Sequence, residues 1–339
     1  MRQAIQTVIS GNDLNPHEAK EAFTAIMDGE STNAQTAAFI VALRMKGESV
    51  EEITAAAQVM REKVTLITPQ TDQNIVDTCG TGGDGTNTFN ISTAAALVAA
   101  GAGALVAKHG NRSVSSRSGS ADVLEALGVN ILINHEQMKT CLEEVGIGFL
   151  FAPTLHKAMK YAAEARKEIG VRTIFNILGP MTNPALASRQ LLGVFAPHLT
   201  HTMASVLKNM GSTRAFVVHG NDSMDEISLS GPTQVSELND HQIKTYTICP
   251  EQFGFERVSN DKLRGGEADT NAQIIRDILN GKKGAARDIV VLNAAFALCA
   301  AGMCDEAKQG IRLAADSIDS KAAIQKLKQL IEVSNSFRT

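Results

Sequence analysis

The sequence predicts an α/β protein whose large domain has a mainly parallel central sheet flanked by helices, together with a small all-helical domain. Three observations lead to this prediction. Residues 1–66 contain helical patterns only, whereas from Asn74 onward short apolar segments alternate with helical stretches. Such alternation is typical of parallel strands joined by crossover helices. The length of 339 residues is sufficient for two lobes.

The small helical domain is predicted to span residues 1–66. Its three clearest helices have start signals at Asn15, Asn33 and Ser49. A proline follows Asn15 in the first turn, and Glu52 completes a capping box with Ser49. The apolar stripes of these helices need a partner to pack against. We expect part of residues 157–188 to pack on this domain.

The large domain is predicted to span residues 70–339. Five short apolar segments are predicted as strands: 75–77, 104–108, 148–151, 191–195 and 215–219. Alternating polarity also predicts strands at 227–229 and 244–248. The later helices are predicted at 271–280, 288–301, 305–317 and 321–334.

The first polar loop of interest is Gly80 to Gly85, which follows the first predicted strand and formally matches the dinucleotide pattern G-x-G-x-x-G. Two features count against a dinucleotide site. A further polar stretch precedes the next helix, for which Ser92 is the predicted cap, and Lys108 stands where a ribose-binding acid is expected. A cation in that position favours a phosphate ligand instead.

We interpret the stretch 77–120 as an anion cradle with two halves. Glycines let backbone N–H groups approach an oxyanion, and Asn90, Ser92 and Thr93 lie where the predicted helix 93–100 begins, so its dipole attracts phosphate. The second half is predicted as a polar loop over residues 108–120. Its donors are Lys108, Arg112, Ser113, Ser115, Ser116, Arg117, Ser118 and Ser120. Both halves leave the edge of the sheet where open α/β folds bind ligands.

One long run is specific enough to indicate a family: DTCGTGGDGTNTFNISTAAALVAAGAGALVAKHGNRSVSSRSGSADVLEALGV. It resembles the anthranilate phosphoribosyltransferase family, which catalyses the second step of tryptophan synthesis. The resemblance extends through GIGFLFAPTLHKAM, RKEIGVRTIFNILGPMTNP, HGNDSMDE and LRGGEADTNA, and so covers nearly the whole chain. Two departures are visible. Arg117 replaces the usual lysine, and residues 221–224 replace the commoner glycine and leucine, which leaves the shape of that loop open.

The resemblance implies Mg²⁺-dependent transfer of phosphoribosyl from 5-phosphoribosyl 1-diphosphate (PRPP) to the amine of anthranilate. The implied PRPP-binding residues are Gly80, Gly83, Asp84, Thr88, Asn90, Ile91, Ser92, Thr93, Lys108, His109, Gly110, Asn111, Arg112, Ser113, Val114, Ser115, Ser116 and Ser120. Ser92, Asp225 and Glu226 would bind two Mg²⁺ ions per subunit. Gly80, Asn111 and Arg166 would bind anthranilate. No covalent nucleophile is implied, and Lys108, Asp225 and Glu226 would support the transition state.

The residues implied by the resemblance also have plainer interpretations. Taken alone, Asp225 and Glu226 have the pattern of a solvated turn, and Arg166 that of a surface arginine on the predicted helix 157–169. His109 is a candidate general base, but the amine of anthranilate is already nucleophilic and needs little activation. The candidates for the approach path of the acceptor are His156, Met159, Tyr161, Pro180 and Thr182.

Composition and charge exclude several classes of protein. The chain is 44% hydrophobic and 20% charged, and its net charge is −4. A negative chain without an aromatic-rich basic patch counts against nucleic-acid binding. The most apolar run, 91–107, is mostly Ala and Gly and is a poor membrane span. The N-terminus lacks the pattern of a signal peptide, and the five cysteines contain no CxxC pair, so we expect reduced thiols in the cytoplasm.

The resemblance further implies a homodimer built through the helical lobe, and it leaves open an association with anthranilate synthase components. Two alternative functions remain. A pyrimidine nucleoside phosphorylase shares the Lys-His-Gly and Ser-Gly-Ser-Ala-Asp motifs, but it uses free phosphate without a metal pair, and Asp225 and Glu226 count against it. A non-enzymatic nucleic-acid-binding member of the same fold is disfavoured by the net charge of −4.

Overall fold

The computed structural model describes residues 1–113 and 117–337. The chain begins with four helices, α1 (Arg2–Ile9), α2 (Pro16–Met27), α3 (Asn33–Lys46) and α4 (Val50–Lys63). Capping boxes start α2, α3 and α4, with Asn15, Thr32 and Ser49 as the N-cap residues. Each side chain satisfies at least one of the N–H groups that a helix leaves unpaired at its start, and that of Asn15 satisfies two.

A seven-stranded sheet follows, in the order β3-β2-β1-β4-β5-β6-β7. The strands are β1 (Ile75–Gly80), β2 (Leu105–Gly110), β3 (Ile147–Phe151), β4 (Arg189–Gly193), β5 (Arg214–Gly220), β6 (Thr233–Asn239) and β7 (Gln242–Ile248). The first five are parallel, and β6 and β7 continue the sheet antiparallel. The predicted mainly parallel sheet is confirmed. Its parallel strands all end at one edge, which is where the predicted loops emerge.

Helices cover both faces of the sheet. They are α5 (Ile91–Gly101), α6 (Ser120–Leu127), α7 (His135–Val145), α8 (Ala152–Leu155), α9 (Lys160–Ile169), α10 (Phe175–Leu178), α11 (Leu199–Asn209), α12 (Ala268–Leu279), α13 (Ala285–Ala301), α14 (Ala307–Asp319) and α15 (Ala322–Ser336). Among the described residues, no helix combines the length and apolar character needed to cross a membrane.

The apolar interior consists of two clusters. The larger one surrounds α5 and α13, which pack against each other and against β1. The smaller one joins the N-terminal helices to α9, α10, α11 and the other face of β4 and β5. Ala162 and Phe175 are buried members of this second cluster. The helical lobe is therefore held against the sheet by side chains from the segment that follows β3.

The predicted strand at 227–229 is wrong. These residues are buried but lie in the loop between β5 and β6, and the strand begins only at Thr233. The backbone N–H of Ile227 donates to the side chain of Asn293, and the N–H of Ser228 donates to Thr233 Oγ1. Side chains thus satisfy the groups that a neighbouring strand would otherwise pair.

Candidate active site

The glycine loop, Gly80 to Gly85, begins at the end of β1 and bonds to Asp225. We call Asp225 and Glu226 the acidic pair. The N–H of Gly82, whose φ is +66°, donates to Asp225 Oδ2 at 2.8 Å. A Cβ on Gly80 would lie only 2.6 Å from the same carboxylate oxygen. Asp84 closes the loop by accepting bonds from the N–H and hydroxyl of Thr86 at 3.1 and 2.6 Å. Glycine at position 80 is therefore needed for the close approach of Asp225.

The N-terminus of α5 lies beside this loop. The helix begins at Ile91 with Asn90 as its N-cap, so the prediction that Ser92 caps the helix is wrong. Asn90 makes no side-chain cap bond; its amide donates to the carbonyl of Ser118 at 3.1 Å instead. The N–H of Ser92 donates to Glu226 Oε1 at 3.1 Å. The start of the helix thus faces an acidic side chain, which the helix dipole favours.

Three carboxylates gather at this edge. Asp84 Oδ2 accepts a bond from the N–H of Asp225 at 3.3 Å. Burial, followed by the charge of Asp84, raises the pKa of Asp225 to about 7. Burial and the charge of Asp225 raise the pKa of Glu226 to about 8, whereas Lys108 acts in the opposite direction. Within residues 1–113 and 117–337, no three His, Cys, Asp or Glu side chains are arranged to hold a metal ion by themselves.

Lys108, predicted as the last residue of a strand and the first of the second loop, lies within β2, which continues through His109 to Gly110. Its side chain is buried, and its Nζ donates to the carbonyl oxygen of Thr78 at 2.5 Å and lies 3.4 Å from Ser92 Oγ. Burial lowers the pKa of Lys108, and the charge of Asp77 is the largest opposing influence. The ammonium group of Lys108 therefore lies beneath the first turn of α5, inside the protein.

The second loop is held at both ends by Asp122. Its carboxylate accepts bonds from the N–H groups of Ser113 and Gly119 at 3.0 and 2.8 Å. Arg112 pairs with Asp122 and Glu125 at 2.9 and 2.8 Å, so its guanidinium is turned towards these acids. Three other predicted PRPP contacts, Val114, Ser115 and Ser116, lie outside the described residues.

The remaining residues that are predicted to bind PRPP lie beside these groups. Thr88 forms an isolated β-bridge with Arg264. Ile91 and Thr93 are buried in the first turn of α5, and Gly83 lies in the glycine loop. Ser120 opens α6, and its hydroxyl donates to the carbonyl oxygen of Asn111 at 3.3 Å. The side chain of Asn111 accepts a bond from the N–H of Arg112.

Arg166, the predicted acceptor residue, lies on α9 and is half-buried. Its guanidinium carbon lies 5.3 Å from the centre of the Phe175 ring, and burial lowers the pKa of Arg166. Stacking on an aromatic face leaves the planar edge of a guanidinium available for a carboxylate. Of the candidates for the approach path, His156, Pro180 and Thr182 are buried and Tyr161 is exposed.

Three residues that sequence reasoning missed support the site. The amide of Asn271 donates to Asn90 Oδ1 at 2.9 Å, the guanidinium of Arg172 donates to the carbonyl of Gly83, and Asn293 bonds to the backbone of Ile227. The signal for Asn293 is its polarity within an apolar helix, because buried amides are almost always hydrogen-bonded. Asn271 lies in a helix with many polar residues and gives no such signal.

Comparison with known families gives the class of protein. Residues 72–324 match the α/β domain of a glycosyl transferase family, and residues 2–64 match the helical bundle domain of a glycosyl transferase family. Together the two matches account for nearly the whole chain. The chain is therefore a glycosyl transferase by its family.

Individual relatives narrow this class. An anthranilate phosphoribosyltransferase from Acetivibrio thermocellus is 56% identical over 337 residues, which are 99% of this chain and 97% of the relative. The crystal structure of the enzyme of that name from Thermus thermophilus superimposes with a TM-score of 0.93 at 42% identity, covering 98% of this chain and 99% of that one. The Saccharomyces cerevisiae enzyme in complex with PRPP and Mg gives 0.90 at 28% identity, with 99% and 98% covered. The chain belongs to the anthranilate phosphoribosyltransferase family of enzymes.

Proposed function

We propose that the protein transfers the phosphoribosyl group of PRPP to the amine of anthranilate in a Mg²⁺-dependent reaction. The products are N-(5-phosphoribosyl)anthranilate and diphosphate, and the reaction is the second step of tryptophan synthesis from chorismate. Family membership supports the substrates, and the yeast relative bound to PRPP and Mg supports the donor and the metal. The pathway and the five free cysteines support a cytoplasmic location.

One observation carries this proposal: the acidic pair, Asp225 and Glu226, contacts both parts of the first half of the predicted anion cradle, the glycine loop and the start of α5. Asp225 accepts the N–H of Gly82 in the glycine loop, and Glu226 accepts the N–H of Ser92 in the first turn of α5. A metal ion held by these carboxylates would lie beside backbone N–H groups suited to phosphate. A carboxylate pair next to an anion site is the arrangement that a metal-bound diphosphate requires.

The carboxylates fit Mg²⁺ by their chemistry. They are hard oxygen donors, and burial together with mutual repulsion raises their pKa values, so a cation would relieve an unbalanced negative charge. The Ser92 hydroxyl would supply a further oxygen at the start of α5. The family resemblance implies two ions per subunit. Bound there, Mg²⁺ would neutralise charge on the departing diphosphate.

The protein's own groups would hold the donor from several sides. The glycine loop and the first turn of α5 would bind phosphate and ribose oxygens through N–H groups and the side chains of Asn90 and Thr93. The second loop, in which the N–H groups of Ser113 and Gly119 bond to Asp122, would enclose the phosphates. Lys108 would add positive charge from beneath α5, where low solvent access strengthens its effect on the leaving group.

The acceptor would be oriented by Arg166, with Asn111 and Gly80 beside it. Its amine nitrogen would attack the anomeric carbon of PRPP as the bond from that carbon to the diphosphate oxygen breaks. The amine then loses a proton, and diphosphate leaves with the bonding electron pair. Because the nucleophile is the substrate itself, the protein contributes mainly by orientation and by stabilising the leaving group.

We further propose two domains. The small helical domain spans residues 1–66, with part of 157–188 packed on it, and the large domain spans 70–339.

We also propose a homodimer that is built through the small helical domain. Ile9 and Met45 on this lobe are 69% and 83% exposed, unusually high values for apolar side chains. Sedimentation equilibrium should give twice the chain mass of 36.0 kDa. Substituting both residues with Lys should shift the protein to monomer; an unchanged dimer would place the interface elsewhere.

The reaction is tested by mixing the pure protein with anthranilate, PRPP and MgCl₂ and following the loss of anthranilate fluorescence. We expect decay that stops on addition of EDTA and that Asp225→Asn with Glu226→Gln abolishes. The matched control is Asp305→Asn with Glu306→Gln, an adjacent acidic pair that is exposed. No decay, together with phosphate-dependent cleavage of thymidine or uridine, would refute the proposed reaction in favour of a nucleoside phosphorylase.

A further inference from the structure

The acidic pair sits on a stretch of backbone that has no strand to hold it. Asp225 and Glu226 follow β5 in an irregular loop that does not regain regular structure until Thr233. A carboxylate that must bind a ligand at a defined position needs a backbone that is held in one conformation. Something outside the loop must therefore fix these two residues.

Asn293 of α13 meets this need. Its side chain is fully buried, its Oδ1 accepts the N–H of Ile227 at 3.0 Å, and its Nδ2 donates to the carbonyl of Ile227 at 2.9 Å. Nδ2 also donates to the carbonyl of Ile289 on its own helix at 2.9 Å. The amide thus uses both N–H groups and its oxygen, and it binds Ile227 as a neighbouring strand would.

The position of this contact matters because the N–H of Ile227 belongs to the peptide group that joins it to Glu226. Fixing that peptide plane fixes the direction in which the Glu226 side chain leaves the backbone. Asp225 is confined from the opposite side by β4, since a Cβ on Gly193 would lie 1.5 Å from the Asp225 carbonyl oxygen. The acidic pair is thus held between α13 and the sheet.

We infer that Asn293 is a positioning residue for the acidic pair: it fixes the Glu226–Ile227 peptide so that Glu226 reaches the first turn of α5. Asn293 touches neither substrate nor metal in this role. The consequence for metal binding rests on the proposed function, whereas the contact between Glu226 and the Ser92 N–H does not.

The obvious variant, Asn293→Ala, leaves the buried N–H and carbonyl of Ile227 without a partner and risks misfolding. Asn293→Ser is the better test, because a serine hydroxyl can bond the carbonyl four residues earlier, here Ile289, but is too short to reach Ile227. The matched control is Ser334→Ala on α15. Ser334 is also fully buried, and its hydroxyl accepts a backbone N–H, that of Asn130, at 3.0 Å.

Two readouts separate positioning from general stability. The first is amide hydrogen exchange at Ser92 in the ligand-free protein, measured by NMR. We expect Asn293→Ser to speed this exchange at least tenfold and Ser334→Ala to change it less than twofold. The second is Mn²⁺ binding in the presence of PRPP, followed by electron paramagnetic resonance. We expect Asn293→Ser to weaken it at least tenfold, with Ser334→Ala again near wild type.

Equal exchange rates at Ser92 in the two variants would overturn the inference, whatever their activities. A wild-type protein that binds no Mn²⁺ with PRPP would instead refute the metal site of the proposed function. The exchange measurement would still decide whether Asn293 positions Glu226, so the two failures are distinguishable.

Discussion

The Nε2 atoms of His109 and His156 lie 3.1 Å apart in the interior of the protein. His109 Nδ1 lies 3.2 Å from the carbonyl oxygen of Gly179, which can only accept, so Nδ1 carries the proton. His109 Nε2 must then accept a bond from His156 Nε2–H. With that lone pair engaged, His109 has no free nitrogen to act as a general base. The nucleophilicity of the anthranilate amine leads to the same conclusion.

This histidine pair should make the protein less stable in mild acid. Burial, with the charge of His156, lowers the pKa of His109 to about 3, and burial lowers the pKa of His156 to about 4. Between these values and about 6.5, the usual pKa of an unfolded histidine, the unfolded chain binds more protons than the folded one. The contribution of this pair to the free energy of unfolding therefore falls as the pH falls below about 6.5.

His156→Gln should remove part of this pH dependence, because a glutamine amide can still donate to His109 but does not titrate. Between pH 7 and pH 5 we expect the variant to lose about 2 kcal/mol less of its unfolding free energy than wild type. Urea unfolding at the two pH values measures this difference. His201→Gln, at an exposed site on α11, is the control and should keep the wild-type loss. The same loss in His156→Gln would show that this pair does not carry the effect.

Arg166 should determine the affinity for the acceptor and not for the donor. Arg166→Ala should raise the KM for anthranilate more than tenfold and change the KM for PRPP less than threefold, since a lost charged hydrogen bond costs about 1.5–3 kcal/mol. Arg166→Lys should recover only part of this, because an ammonium lacks the planar edge of a guanidinium. Lys167→Ala, at the exposed neighbouring position, is the control. Equal rises in both KM values would show that Arg166 does not bind the acceptor.

Asn271 should affect the binding of PRPP, because its side chain orients the side chain of Asn90. Asn271 is buried, accepts the N–H of Gly266 at 2.7 Å, and donates to Asn90, whose own amide reaches Ser118 in the second loop. Asn271→Ala should therefore raise the KM for PRPP about tenfold and leave that for anthranilate within twofold. Gln273→Ala, exposed on the same helix, is the control. A rise confined to the anthranilate KM would contradict this role.

Much of the fold could be predicted because its signals are local. Capping boxes at Asn15 and Ser49 depend on residues three positions apart, and the short apolar segments mark the parallel strands directly. The error at 227–229 arose because polarity alternates there in the sequence Ile-Ser-Leu without a partner strand, although all three residues are buried. A sequence pattern reports which side chains are buried but not which groups satisfy the backbone.

From the residues alone, only the part of the candidate site that lies within one stretch could be predicted. The two halves of the anion cradle are predicted within residues 77–120, whereas Asp225, Glu226 and Arg166 were assigned only through the family resemblance. Asn271 and Asn293 could not be found in this way, because their partners Asn90 and Ile227 are 181 and 66 positions away. The predicted strand ended at Lys108 because polar residues follow it, whereas β2 continues through His109 to Gly110.

Gly193 provides a last test of how tightly the acidic pair is held. It ends β4, and an added Cβ would lie 1.5 Å from the carbonyl oxygen of Asp225, a backbone atom that cannot rotate away. Gly193→Ala must therefore push Asp225 out of place. We expect kcat/KM for PRPP to fall at least a hundredfold, with far-UV circular dichroism unchanged and a lower melting temperature. Gly231→Ala is the matched control, since no atom lies within 4 Å of its added Cβ, and it should stay within twofold of wild type. Near-normal activity in Gly193→Ala would mean that the loop carrying Asp225 and Glu226 tolerates displacement. The geometry argues against that, because Gly82, Ser92 and Asn293 each bond to this loop within about 3 Å.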